Sequence, residues 1–238
     1  MENLEILYQD KDLLIINKPS GLLVHKSDLD PSEKSSAMLL LRDQIGQWVF
    51  PVHRLDKPTS GCLLFSLNRE ITPKLNTLFE NRKVIKSYHA IVRGHTLDSE
   101  TIDYPLIKEW DKRFPNNTKN QKQEAISSYL TIEKSVSEIA SRRYPQTRYS
   151  YLELKPTTGR KHQLRRHLAH IRHPIIGDTR HGDGEYNRLF RKYYDCYRLL
   201  LHAHSIEFEH PRTKRILKCV SPMDKKMSQI KKDLFETR

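Results

Sequence analysis

"RYSYLELKPTTGRKHQLRRHLAHIRHPIIGD", Arg148 to Asp178, changes character midway. It opens as a strand running to about Lys155, turns at Thr-Thr-Gly, and continues as a helix that stacks Leu164, Leu168 and Ile171. Moving toward the N-terminus, "VIKSYHAIVRG" from Val84 to Gly94 has a strand pattern with Tyr88, Ala90 and Val92 on one face. A helix precedes it, with Thr72 and Pro73 as expected N-cap and first helical residue and Leu75, Leu78, Phe79 and Arg82 at helical spacing. "CLLFSL", Cys62 to Leu67, reads as a buried strand, and "SAMLLLRDQIG" as a helix without a clean stripe. Two short strands, Glu5 to Tyr8 and Asp12 to Asn17, close on the turn "KPSG". Toward the C-terminus come a further strand in "RLLLHAHSIEF" and a short amphipathic helix spacing Met227, Ile230 and Leu234. These elements alternate without the regular rhythm of a parallel βαβ sheet, so a mixed α+β fold is expected.

Between Asp98 and Arg148 the sequence becomes polar and irregular, least ordered in "DKRFPNNTKNQKQEA". This is expected to be a surface excursion carrying one or two strands, inside a single domain over residues 1–238. Lys and Arg number 42 against 29 Asp and Glu, a net charge of +13, which favours a polyanionic partner. The cysteines Cys62, Cys196 and Cys219 have no CxxC pairing, which argues against a disulfide framework or zinc knuckle and fits the reducing cytoplasm. The apolar runs are too short for a signal h-region or a membrane span.

Charge placement sharpens this. The run Arg160 to His173 holds five Lys or Arg and four His, and no Asp or Glu occurs between Lys155 and Gly177. On a helix that buries Leu164, Leu168 and Ile171, the residues His162, Arg165, Arg166 and Ala169 share another face. Such a ridge reads either as a solvated basic face or as one neutralised by phosphates. His167, His170 and His173 invite a metal, but the crowding arginines and the lack of a nearby carboxylate or thiolate oppose it. In "PVHRLDKPTSG", Asp56 is either a turn aspartate ahead of Pro58 or a nucleophile kept ionised by Arg54.

The stretches "HRLDKPTSG", "KSYHAIVRG" and "TGRKHQLRRHLAHIRHPIIGD" resemble, in order and separation, the motifs of the RluA-type pseudouridine synthases, over about Leu4 to Pro222. "LEILYQD", "NKPSGLLVH", "RDQIGQ" and "HGD" followed by Asn187 and Arg188 are similar to a tRNA-modifying branch of that family. No N-terminal stretch resembles the S4 RNA-binding domain of several relatives. The resemblance implies a largely antiparallel mixed sheet with flanking helices and an RNA-binding cleft. It implies an isomerase that needs neither cofactor nor metal, acting on tRNA at the uridine at the base of the T-stem; a monomer is expected. By the same resemblance Asp56 is the nucleophile, Tyr88 packs against the target base, and Arg165 pairs with the catalytic carboxylate. Arg54 enters the RNA in place of the extracted base, and Leu164 lies near that base. Arg160, Lys161 and His162 are expected RNA contacts, with Lys18 and His25 as further candidates.

Overall fold

The computed structural model describes residues 3–25, 35–108 and 121–236. Their packing divides the chain into two compact units, Met1–His89 with Leu201–Gln229, and Ala90–Leu200 with Ile230–Arg238.

The first unit contains β1 (Glu5–Gln9), β2 (Leu13–Lys18), α1 (Ala37–Ile45), β3 (Phe50–Pro51), β4 (Ser60–Ser66) and α2 (Ile71–Glu80). The chain boundary then falls within β5 (Ile85–Arg93). β2 lies antiparallel between β1 and β4, and β3 adds to the end of β4. Residues of β2 alternate between two cores. Leu14 and Ile16 join Leu63, Phe65, Ala37 and Leu41 on one side, while Leu13 and Ile15 join Cys62, Leu64, Ile71 and Leu75 on the other. A strand covered on both faces needs no polar side, which is why "LLII" and "CLLF" read as unbroken apolar runs.

Helix α1 starts where the Ser36 hydroxyl accepts the Leu39 N–H and stops at Gly46, whose left-handed backbone returns its N–H to the Arg42 carbonyl. Helix α2 begins earlier than expected. Asn68 starts it, its carbonyl accepting the N–H groups of Ile71 and Thr72, so Pro73 sits inside the first turn, where a missing donor costs nothing. Nor does Arg82 continue the helix. At φ +57° it takes the left-handed place usually given to glycine, with Arg82 N–H bonded to the Phe79 carbonyl and Lys83 N–H to Leu78.

In the second unit the strand order is β5, β10 (Thr147–Pro156), β9 (Ile126–Ser137) and β6 (Ser99–Asp103). A separate hairpin pairs β7 (Leu106–Ile107) with β8 (Lys122–Gln123). The polar excursion is therefore far more ordered than its composition suggests. Along the twelve-residue β9 Ser127, Tyr129 and Ser135 are buried while Leu130, Ile132 and Val136 are exposed, and a bulge opposite Tyr151 and Leu152 breaks the alternation. Most of "DKRFPNNTKNQKQEA" lies outside the described residues. Helices α3 (Gln163–His170) and α4 (Gly184–Tyr194) follow; then β11 (Leu201–Glu209) and β12 (Ile216–Val220) return to the first unit. β11 runs parallel to β4 and antiparallel to β12. The chain closes with α5 (Lys225–Lys231) and a π turn, Lys232–Glu236, burying Met227, Ile230 and Leu234 as their spacing predicts. Helix α4 was not evident from periodicity, although Asp183 caps it through the N–H groups of Glu185 and Tyr186.

Candidate active site

The loop that carries Arg54 and Asp56 is fixed from three sides. Before it, His53 accepts the Leu64 N–H at 3.0 Å through Nε2 and stacks on Phe79 at 4.8 Å. Burial, with the Lys86 charge second, pushes the His53 pKa down to about 3, so the ring is a neutral anchor. Leu55 is buried in the core, and the Asp56 carbonyl closes the turn by accepting the Thr59 N–H at 3.0 Å. After the loop, the Ser60 hydroxyl lies 2.9 Å from His202 Nδ1, whose Nε2 donates to the Ser221 carbonyl. Gly61 then passes so close to β11 that a Cβ there would lie 2.2 Å from the Ala203 oxygen.

The third attachment comes from "NKPSG". Lys18 is wholly buried and its ammonium donates to the carbonyls of Pro19, Leu22 and Lys57 at 2.8, 2.8 and 3.2 Å. Ser20 Oγ donates to the Pro58 carbonyl at 2.7 Å, and the Gly21 N–H to Lys57 at 2.8 Å. This corrects the reading of Lys18 as a phosphate contact: a lysine without exposed surface, ringed by carbonyls, is a clasp between two loops. His25, at the end of the same segment, is half-buried.

Held in this way, the loop leaves Arg54 exposed and Asp56 half-buried, while Tyr88 on β5 packs half-buried against the same core as Leu55. The Tyr88 phenol is pushed up, first by burial and next by the negative charge of Asp56. Asp56 and Tyr88 are therefore brought within electrostatic reach, and the phenol stays protonated at neutral pH.

The basic helix is organised differently from a solvated ridge. Gln163 ties its start to the sheet, donating to the Ile126 carbonyl and Ser127 Oγ at 2.9 Å each. Arg160 Nε donates to the Glu124 carbonyl at 2.9 Å and Arg166 Nη2 to Ile107 at 3.0 Å. His167, fully buried, donates through Nε2 to the Tyr104 carbonyl, and His170 stacks on the Tyr104 ring at 3.6 Å. His173 Nδ1 donates to the Arg93 carbonyl. His162 begins the helix with φ +54° and sets its Nδ1 3.0 Å from His181 Nε2, while Lys161 is exposed and Leu164 belongs to the core.

Arg165 departs most from the expected exposed face. Only 5% of its side chain is exposed, and Nε and Nη2 grip Asp178 at 2.7 and 2.9 Å. Sequence reasoning missed this carboxylate, which is the first after the uncharged-acid stretch ending at Gly177. Asn187, singled out in the sequence only for its place after "HGD", has a structural role that the sequence did not show: its Oδ1 accepts the Gly177 N–H and its Nδ2 donates to the Asp178 carbonyl, both at 2.8 Å. His53 likewise gave no sign of its anchoring role beyond standing beside Arg54.

Among the described residues, one group has the composition of a metal site: Asp10, Asp12 and His210. Its valences are used internally. Asp10 accepts from Tyr8, His210 and the Asp12 and Leu13 N–H groups, and Asp12 holds the Arg212 guanidinium at 2.6 and 2.8 Å. No described helix is long and apolar enough to cross a membrane.

Comparison with known proteins gives concordant matches. The family model described as RNA pseudouridylate synthase covers residues 12–170. The tRNA pseudouridine synthase C of Vibrio cholerae is 50% identical over 216 residues, 90% of this chain and 88% of that protein. The protein of the same name from Salmonella typhi is 48% identical over 229 residues, 95% and 88% of the two chains. Among solved structures, human RNA pseudouridylate synthase domain containing 1 aligns with a TM-score of 0.72 at 26% identity, over 93% of this chain and 84% of that one.

Proposed function

Since the chain belongs to the RNA pseudouridylate synthase family and so isomerises uridine to pseudouridine in RNA, we propose that its substrate is tRNA, at the uridine at the base of the T-stem. The observation that carries this reading is the half-identity, over nine-tenths of the chain, with a protein named tRNA pseudouridine synthase C. The sequence of the presenting loop fits the same reading, with Pro58 before the Thr-Ser-Gly that ends it.

The reaction breaks the N1–C1′ bond, turns the uracil and joins C5 to C1′. The same atoms enter and leave, so neither redox equivalents nor a transferred group is required. Asp56 is the reacting carboxylate, set on a loop whose main chain is pinned by Lys18, Ser20 and Gly21. Tyr88 works as a neutral phenol: its ring packs on the base, and its oxygen hydrogen-bonds where the C5 proton is lost. A stacked uridine is out of reach of either residue, so the nucleotide is flipped at a cost of a few kcal/mol. Exposed Arg54 fits the vacated position, since a guanidinium both stacks and hydrogen-bonds. Arg165 takes the role of the arginine that serves the catalytic carboxylate, an assignment that rests on its place in the "HQLR" motif, and by the same motif Leu164 is assigned to the neighbourhood of the base. Arg160, Lys161, His162 and His25 contact the RNA. A tRNA substrate supports a cytoplasmic setting, and the expectation of a monomer is tested by the mass of the protein in solution.

The test is tritium release from C5-labelled uridine in a tRNA transcript. Wild-type protein releases label and forms pseudouridine at the T-stem site, while Asp56→Asn releases none and binds the transcript with affinity within about threefold. Turnover by Asp56→Asn would remove the nucleophile assignment. T-stem pseudouridine persisting in a deletion strain that loses it from ribosomal RNA would remove the tRNA assignment.

A further inference from the structure

The segment Gly177 to Gly182, "GDTRHG", is folded around one carboxylate. Asp178 Oδ1 accepts the N–H groups of Arg180 and His181, each at 2.9 Å, so the loop's own backbone fixes the side chain. The remaining capacity goes to Arg165, whose Nη2 donates to Oδ1 and whose Nε donates to Oδ2. Asn187 clamps the chain on both sides of Asp178, through the Gly177 N–H and the Asp178 carbonyl. The glycines at the two ends have no room for a side chain. A Cβ at Gly177, where φ is +80°, would lie 1.9 Å from the Arg198 oxygen, and one at Gly182 would lie 2.1 Å from the Asp178 oxygen.

Two glycines, an asparagine and two backbone donors thus hold a carboxylate that is 2% exposed and spends its charge on one guanidinium. Burying such a pair is poor value for stability alone, because desolvation consumes most of the attraction. The bidentate grip instead removes the rotational freedom of a five-donor fork and leaves its opposite end aimed in one direction. We propose that Asp178 is a positioning residue for the isomerisation, holding Arg165 in the orientation in which it serves the catalytic carboxylate. Asn187 and the paired glycines fix Asp178 in turn. This rests on the reading of Arg165 as the partner of Asp56.

Asp178→Asn tests it, since the amide keeps an acceptor for the loop N–H groups and removes the charge that orients Arg165. With a tRNA transcript, kcat is expected to fall roughly 30- to 100-fold, the penalty of a misplaced reacting group, while KM and RNA affinity stay within about threefold. Asn187→Ala, which loosens the clamp but keeps the carboxylate, lowers kcat by less, again with KM unchanged. An Asp178→Asn enzyme with wild-type kcat overturns the proposal, as does one whose kcat and KM change together and recover below its melting transition. If Asp178→Asn does not fold, Asn187→Ala with wild-type kcat overturns it. Arg165→Met separates the two readings. Loss of turnover there with a normal Asp178→Asn enzyme overturns the positioning role alone, whereas full turnover by Arg165→Met overturns the role of Arg165 itself.

Discussion

Replacing Lys18 with Met distinguishes a clasp from a phosphate contact. The ammonium makes three hydrogen bonds to main-chain carbonyls at 2.8, 2.8 and 3.2 Å, and its residue has no exposed surface. Hydrogen bonds to a charged donor contribute about 1.5–3 kcal/mol each, so the gross loss is about 4–9 kcal/mol. Methionine fills similar volume and no longer requires an ammonium to be desolvated, which returns several kcal/mol. The net cost is about 3 kcal/mol, a change of about 150-fold in the ratio of folded to unfolded protein. Loss falls on a specific place, because one of the three acceptors is Lys57, next to Asp56. Turnover by the folded variant should therefore drop about tenfold through a less ordered loop. Urea unfolding reads the first quantity and single-turnover kinetics the second. RNA affinity measured across salt concentrations supplies the control: a lysine without phosphate contact leaves the salt slope unchanged, whereas loss of a phosphate contact lowers it by about one. Stability within about 0.5 kcal/mol of wild type, together with a lowered salt slope, would refute the clasp.

Two further outcomes follow from the first unit. Gly61→Ala sets a methyl 2.2 Å from the Ala203 oxygen at φ +109°, so backbone strain and overpacking together should cost about 3 kcal/mol or more in urea unfolding; a loss below about 1 kcal/mol would mean that β4 and β11 separate easily. Asp12 is held below the ordinary carboxylate range mainly by its hydrogen bonds to Arg212. Its stabilisation is therefore complete above about pH 4 and lost as pH falls through the depressed value; Asp12→Asn should lower the urea midpoint at pH 7 and differ little from wild type at pH 2, and an equal gap at both pH values would count against the pairing.

Several parts of the fold can be read locally because local chemistry determines them. Ser36 and Gly46 mark the ends of α1 through bonds to residues three or four positions away, and the apolar runs of β2 and β4 reflect strands covered on both faces. Strand β9 is opaque for the opposite reason. Its order comes from ladders to β6 and β10, made by main chain that any side chain permits, so a polar composition gives no sign of it. The same contrast runs through the site. Asp56 and Tyr88 stand out by motif, yet the residues that hold them, Lys18, Ser20 and His53, act through bonds spanning 11 to 39 positions. Asp178 escaped attention because a search for acids within the basic run stops at Gly177.

The charge excess is likewise a poor guide to the RNA surface when taken residue by residue. Lys18 caps carbonyls, Arg165 and Arg212 hold buried aspartates, and Arg160 and Arg166 donate to the main chain near the β7–β8 hairpin. A guanidinium has five donors in a fixed fork, so one bond to a carbonyl orients the group and leaves other edges for a phosphate. Internal use and RNA contact are therefore compatible for Arg160, where the surface is partly open, and incompatible for Lys18, whose three protons meet three carbonyls in the interior. The Asp56 carboxylate follows the same logic. Asp56 sits on a loop whose neighbours donate to its main chain, so the loop keeps its shape independently of the charge it carries. That is what allows Asp56→Asn to report on chemistry, since removing the charge leaves in place the hydrogen bonds from Lys18, Ser20 and Gly21 to the carbonyls of Lys57 and Pro58.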